Sequence, residues 1–271
     1  MPATATPAAD RRAVPAQPIA EHITVGTDGS YWGDIAVSWA VRHAWLSGME
    51  LRVLRPATDS GPSADVRLND TARRFPLLPI VWHAVEGSPL TELASASVSS
   101  RLVVLGCRGD RHPRLGLGDL ILPTIEVAQC DVAVIRGAPA AVQGEHRSIT
   151  VLISGGTNDA VVLQRAAAAA DTYRSRLEVV HAVARYGPHS ADTDNILKRA
   201  ALQLGSIAPG VAVTTRLAWA LPHEVIERIE HTDLIVLGRG ESRRKSAHPG
   251  AVTKGALFHA PCPVLVVHPS P

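Results

Sequence analysis

Arg101-Leu102-Val103-Val104-Leu105-Gly106 recurs in kind as Asp233-Leu234-Ile235-Val236-Leu237-Gly238, at a spacing of 233 − 101 = 132 residues. Gly118 and Gly250 keep that spacing, and so do Cys130 and Cys262. Upstream, Ile23-Thr24-Val25 answers to Ile149-Thr150-Val151 at 149 − 23 = 126. The chain therefore reads as one unit written twice, with 132 − 126 = 6 extra residues in the middle of the second copy. Between its charged first residue and its terminal glycine, each hexapeptide is continuously apolar. Such a run suits a strand covered on both faces, as in a parallel sheet clothed by helices.

Outward from these runs, the first copy reads as strand 22–28, helix 33–47, strand 50–55, a helix near 64–74 and strand 79–86. Helix 89–99, strand 101–107, helix 119–129 and strand 131–136 complete it. Ala36, Trp39, Ala40, His43 and Ala44 fall on one face of helix 33–47. The second copy repeats the order: strand 148–153, helix 158–174, strand 176–183, a helix near 190–207 and strand 211–218. Helix 222–231, strand 233–238, helix 251–260 and strand 263–268 follow. Alternation of this kind predicts the α/β class, as two tandem doubly wound five-stranded parallel-sheet domains. Their expected bounds are 19–138 and 147–271, joined by a linker at 139–146.

Composition narrows the rest. Hydrophobic residues make up 46% of the 271 and charged residues 19%, enough apolar material for a normal core in each copy. A net charge of +2 carries no footprint for nucleic acid, which depends on clustered basic residues. No apolar run approaches membrane-spanning length. Residues 1–18 are rich in Ala and Pro and lack an apolar signal core, so they read as a disordered tail. Three scattered cysteines fit a reducing compartment, and the expected location is cytoplasmic.

In open α/β sheets, ligands sit beyond the carboxyl ends of the strands. In the first copy, Gly26-Thr27-Asp28-Gly29-Ser30 and Gly106-Cys107-Arg108-Gly109 occupy that edge, the latter leading through Arg111 and Arg114 to Gly118-Asp119. Glycines there let backbone N–H groups face an anion at a helix start.

These residues also carry a resemblance. The stretch 23–30 resembles the first strand and loop of bacterial universal stress proteins. Gly250 onward, through Ala260-Pro261-Cys262-Pro263-Val264-Leu265-Val266-Val267, resembles their last helix and strand. Beyond residue 18 the chain is similar to a tandem member of actinobacterial type. The resemblance implies the universal stress protein, or adenine nucleotide alpha hydrolase-like, fold, with ATP as the cofactor. ATP-binding members carry an Asp after strand one and G-x2-G-x9-G-[S/T] after strand four. Asp28 matches that Asp, which lies near the adenine, and Gly106 and Gly109 match the first two glycines. Only residues 110–117, eight rather than nine, precede Gly118, and Asp119 replaces the hydroxyl residue. Asp119 also reads as an N-cap. A carboxylate there repels a triphosphate unless Mg²⁺ or an arginine intervenes. Losing one charge-assisted hydrogen bond costs roughly 1.5–3 kcal/mol, about tenfold to a hundredfold in affinity. Weak nucleotide binding follows for the first copy, with Mg²⁺ only alongside the nucleotide.

The second copy departs further. Ser154 stands at the Asp28 position, and the strand-four loop reads Gly238-Arg239-Gly240-Glu241. Gly250 matches the last glycine, but Ala251 replaces the hydroxyl residue. Gly238 and Gly250 remain as candidates, and Arg239, Arg243, Arg244 and Lys245 could hold phosphate or simply face solvent. Ser154-Gly155-Gly156-Thr157-Asn158-Asp159 resembles the S-G-G-x-D-S loop of ATP pyrophosphatases, with the Asp one position late. Cys107 sits where an anion-binding loop would favour its thiolate. Cys130 and Cys262 read as structural thiols.

No nucleophile–base–orienter trio recurs in both copies and the histidines show no metal spacing. The leading expectation is a non-enzymatic stress-response regulator that binds an adenine nucleotide weakly in its first copy. One alternative is a nucleotide-free interaction scaffold; another is a slow ATP hydrolase or pyrophosphatase. The last strands, 131–136 and 263–268, resemble the family's edge strands, which implies pairing between the two domains. Further pairing into a homodimer stays open.

Overall fold

The computed structural model describes residues 21–57, 73–109, 116–183, 192–240 and 248–269. The tail at 1–18, the core of the helix near 64–74, and Arg111, Arg114, Glu241, Arg243, Arg244 and Lys245 lie outside them. The first half runs β1 (His22–Gly26), α1 (Tyr31–Ser47), β2 (Glu50–Pro56), β3 (Ile80–Val85), α2 (Pro89–Ser97), β4 (Ser100–Gly106), α3 (Ile121–Val127), β5 (Asp131–Ile135) and α4 (Pro139–Gln143). The second runs β6 (Ser148–Ile153), α5 (Asp159–Tyr173), β7 (Arg176–Ala182), α6 (Asp192–Ile207), β8 (Val213–Ala218), α7 (Pro222–Glu227), β9 (Leu234–Gly238), α8 (Ala251–His259) and β10 (Val264–Val267).

The strands form one ten-stranded sheet in the order β3-β2-β1-β4-β5-β10-β9-β6-β7-β8, not two separate five-stranded sheets. Neighbours are parallel except at the centre, where β5 and β10 run antiparallel with Val132, Ala133 and Val134 opposite Val266, Leu265 and Val264. The reason lies in β5, whose five residues are all buried. An unpaired edge there would leave apolar side chains and backbone donors in water, and the antiparallel seam removes that edge.

The hexapeptide runs show why they lack alternation. Leu102 and Val104 enter one core cluster with Leu234 and Val236, beneath α1, α5 and α6. Val103 and Leu105 enter the other with Ile235 and Leu237, beneath α2, α3, α7 and α8. Successive side chains point to opposite faces, and both faces are covered. Each cluster draws residues from both halves.

Helix α1 starts two residues before the expected 33 and ends at the expected 47. Ser30 accepts the Gly33 N–H at 3.2 Å as N-cap, and Gly48 ends the helix in the left-handed region at φ 67°. Between the halves, the expected linker is partly helical. Pro139 opens α4 and Gly144 closes it at φ 75°. Gly137, at φ +89°, is pressed against the Pro261 carbonyl, and Ala138 N–H donates to that carbonyl at 3.0 Å. No helix among the described residues is long and apolar enough to cross a membrane.

Candidate functional site

A cavity of about 550 Å³ opens at the carboxyl edge of β1 to β4. Its floor lies where β1 meets β4, two neighbours that are not consecutive in the chain. This is the switch point at which such sheets leave a crevice between oppositely directed loops. Asp28, Gly106, Gly109, Gly118 and Asp119 all line it.

Local geometry places each of them. Asp28 follows β1 and accepts the Ser30 N–H on Oδ1 at 3.1 Å, so the loop turns on its own carboxylate before Ser30 caps α1. Gly106 ends β4 against the first turn of α1, where any Cβ would collide with the Trp32 carbonyl. Gly109 sits beside Asp28, and a Cβ on it would collide with Oδ2. Gly118 N–H donates to the Cys107 carbonyl at 2.8 Å and closes the base of the loop. Arg108 lies over the Trp32 ring with Cζ 5.7 Å from its centroid, which holds a cation at the cavity wall.

Two expectations are corrected here. Asp119 does not cap its helix. The Gly118 carbonyl takes the Ile121 N–H at 3.1 Å in a preceding turn, so α3 starts later, with Leu120 at the cap position and no side-chain cap. Asp119 instead lies exposed at the cavity rim. Nor is Cys107 an activated thiol. Its side chain is buried, and burial pushes the thiol up more strongly than the neighbouring Arg108 pulls it down. Burial likewise pushes Cys130 up to about 12 and raises Cys262.

The rest of the lining was not singled out from the sequence. Leu54 and Pro56 at the end of β2, Val85 at the end of β3, and Leu93 on α2 form an apolar wall, with Arg55 and Glu92 beside it. The carboxyl-edge rule, carried over to β2 and β3, points to the ends of those strands but not to Leu93 or Glu92 on α2. The arrangement suits a ligand with a flat apolar face and a polar or anionic end. Among the described residues, no group of three or more His, Cys, Asp or Glu is placed to hold a metal ion.

The second half brings its candidates together differently. Gly238 ends β9, and Gly240, at φ +86°, packs so closely on Gly250 that a Cβ would lie 2.9 Å from the Gly250 Cα. Gly250 N–H donates to the Arg239 carbonyl at 2.9 Å, and Thr253 Oγ1 donates to the Gly238 and Arg239 carbonyls at 3.0 Å each. Arg239 does not face a phosphate position. Its guanidinium crosses the seam and donates to the carbonyls of Ile125 and, at 3.1 Å, Ala128. In the 154–159 loop, Asp159 accepts from Ser154 N–H at 3.1 Å and from Gly155 N–H at 2.7 Å. The donors that a pyrophosphate would use there are already taken by a built-in carboxylate.

Residues 145–268 match the universal stress protein family. The whole chain is similar in fold to a universal stress protein from Archaeoglobus fulgidus DSM 4304, at 16% identity and a TM-score of 0.67, covering 91% of this chain and 98% of that one. It is similar to a functionally unknown protein from Pseudomonas aeruginosa PAO1, at 16% identity and a TM-score of 0.71, covering 93% of each. It is also similar to the cytoplasmic domain of a prokaryotic cation chloride cotransporter, at 13% identity and a TM-score of 0.64, covering 93% and 96%. No curated protein matches the chain in sequence. At these identities the structural likeness is one of fold, whereas residues 145–268 carry a universal stress protein family domain.

Proposed function

We propose that this is a tandem universal stress protein without enzymatic activity, whose first half binds ATP or another adenine nucleotide weakly and whose occupancy is read out by partners. In this reading residues 19–138 and 147–271 are its two domains. The observation that carries it is the convergence of Asp28, Gly106, Gly109 and Gly118 on one cavity. Its size falls within the range of roughly 300–1,000 Å³ usual for small-molecule sites. The wall of Leu54, Pro56, Val85 and Leu93 suits the faces of a base, and Arg108 offers charge to an anionic end. Asp119 on the same rim supports weak rather than tight triphosphate binding. Mg²⁺ would enter only with the nucleotide, offsetting the Asp119 carboxylate.

A nucleotide-free scaffold is the second reading, favoured by the close packing of Gly240 on Gly250 in the second half. The hydrolase reading has least support, because Asp159 occupies the donors of its loop.

Denaturing the purified protein and analysing the supernatant for ATP or ADP, followed by calorimetric titration with ATP, separates the first two. Binding with a Kd in the micromolar to millimolar range supports the nucleotide reading. No bound nucleotide and no heat at millimolar ATP supports the scaffold. Gly109→Ala should displace the Asp28 carboxylate and weaken binding about tenfold, or about 1.4 kcal/mol. Gly238→Ala, whose Cβ would meet Val162 at an ordinary 3.4 Å, should leave binding unchanged. Equal affinity in the Gly109→Ala protein would move the site elsewhere.

A further inference from the structure

Helix α3 borders the cavity at one end and the other half of the molecule at its other end. Gly118, Asp119, Leu120 and Ile121 line the cavity. At roughly 1.5 Å per residue, this one short helix spans only about 10 Å. Its local supports are few. Leu120 provides no side-chain cap, and a helix this short is not stable alone.

What holds its far end comes from the β9–α8 loop of the second half. The last carbonyls of a helix lack intrahelical partners and carry partial negative charge. Arg239 donates to two carbonyls there, those of Ile125 and Ala128. His248 Nδ1 lies 2.5 Å from Glu126 Oε1, on the last turn of α3. Arg239 is itself fixed. Its N–H donates to the Val267 carbonyl at 3.3 Å, and its own carbonyl accepts from Gly250 N–H and Thr253 Oγ1. A contiguous set of hydrogen bonds thus runs from β10 through Arg239 to α3 and on to the cavity rim. Arg136 makes the reciprocal contact, donating to the carbonyls of Ala256, Leu257 and Phe258 at the end of α8.

We infer that the second half positions the first half's cavity: Arg239 and His248, neither of which lines it, hold the C-terminal end of α3 and so fix the Gly118–Ile121 rim. This rests on the nucleotide reading of that cavity. The loop that corresponds to a phosphate loop in the first half serves here as a clamp on its neighbour. A ligand that favours the clamped rim strengthens the clamp in return, since coupling between two sites is reciprocal.

The test uses the full chain. ATP affinity is measured by calorimetry, and amide hydrogen exchange is followed without ligand in peptides covering 118–128. Arg239→Ala should speed exchange in those peptides and weaken ATP binding about tenfold, within the usual span of coupling free energies. Arg239→Lys should restore part of the loss, because one ammonium cannot reproduce the guanidinium fork. His248→Ala should weaken binding by about half that effect on a logarithmic scale, and it serves if Arg239→Ala does not fold. Arg136→Ala removes the equivalent support from α8 and should leave ATP affinity unchanged. If the wild type binds ATP, unchanged affinity in Arg239→Ala and His248→Ala overturns the inference. An equal loss in Arg136→Ala overturns it as well, since the effect would then be general. Unchanged exchange at 118–128 in the variants also overturns it. If the wild type binds no ATP while exchange at 118–128 still rises in Arg239→Ala, the nucleotide reading falls and the clamp stands.

Discussion

Thr124 lies wholly buried in the middle of α3, and its hydroxyl has no hydrogen-bond partner among the described residues. A buried, unpaired polar group costs about 1–3 kcal/mol, whereas an apolar group of the same shape costs nothing comparable. Thr124→Val should therefore stabilise the protein by about 1 kcal/mol or more. In a chain of this size that raises Tm by about 2–4 °C, readable by calorimetry. A fall in Tm would mean that the hydroxyl is satisfied in solution. The neighbouring carboxylates show how placement decides a residue's task. Asp28 stands exposed at the cavity and turns its own loop, while Asp131 is buried at the seam, paired with Arg165 at 2.8 Å and accepting the His268 N–H at 2.8 Å. Burial raises the Asp131 carboxyl, with His268 and Arg165 pulling it back down. One carboxylate lines the cavity and the other is bound into the joint.

At the scale of elements, α1 and α5 meet across the seam through His43 and Tyr173. His43 Nδ1 lies 2.6 Å from the Tyr173 hydroxyl, and its ring stacks on Trp39 at 5.1 Å. Burial, helped by the Arg42 charge, lowers His43 from 6.5 to about 4. The fold thus holds the neutral ring. Between pH 6.5 and 4 the unfolded chain binds a proton that the native chain does not, so stability rises with pH across that window. The contribution is complete above 6.5 and is lost as pH falls toward 4. It amounts to about 3 kcal/mol. Urea midpoints measured from pH 7 to pH 4.5 should fall, and His43→Gln should flatten that part of the decline. An identical acid response in the variant would assign the loss to other groups. Elements of this kind were legible in the sequence where one physical rule dominates. The apolar runs at 102–105 and 234–237 announce strands covered on both faces. The features that stayed hidden depend on partners distant in the chain. Helix α4 follows from Pro139 and Gly144, which equally suit a loop. Asp119 has the chemistry of a cap, yet the turn from Gly118 to Ile121 begins the helix without it. Arg239 looks like a phosphate ligand until the end of α3 is seen beside it. The site divides in the same way: Asp28 and the glycines carry a motif and Leu54 and Val85 end strands, but Leu93 of the apolar wall belongs to no local pattern.

At the scale of the whole molecule, the seam joins two repeats into one sheet. The β5–β10 ladder joins the sheet, Arg136 and Arg239 each cross it to cap a helix of the other half, and both core clusters contain residues from both halves. Separating the halves would expose β5, buried along its entire length, together with charged groups whose partners lie on the far side. Such an intermediate pays for exposed apolar surface and an open strand edge at once. Equilibrium unfolding in urea should accordingly show one transition. The composition supplies two probes that would differ if it did not. Of the five tryptophans, Trp32, Trp39, Trp45 and Trp82 are in the first half and only Trp219 is in the second, so fluorescence reports chiefly on the first half. Far-ultraviolet circular dichroism reports on both. Coincident midpoints and slopes from the two signals are the expected result for a single transition. A fluorescence midpoint displaced from the dichroism midpoint would show that the halves unfold separately, and the coupling across the seam would then be too weak to let one half position the other's cavity.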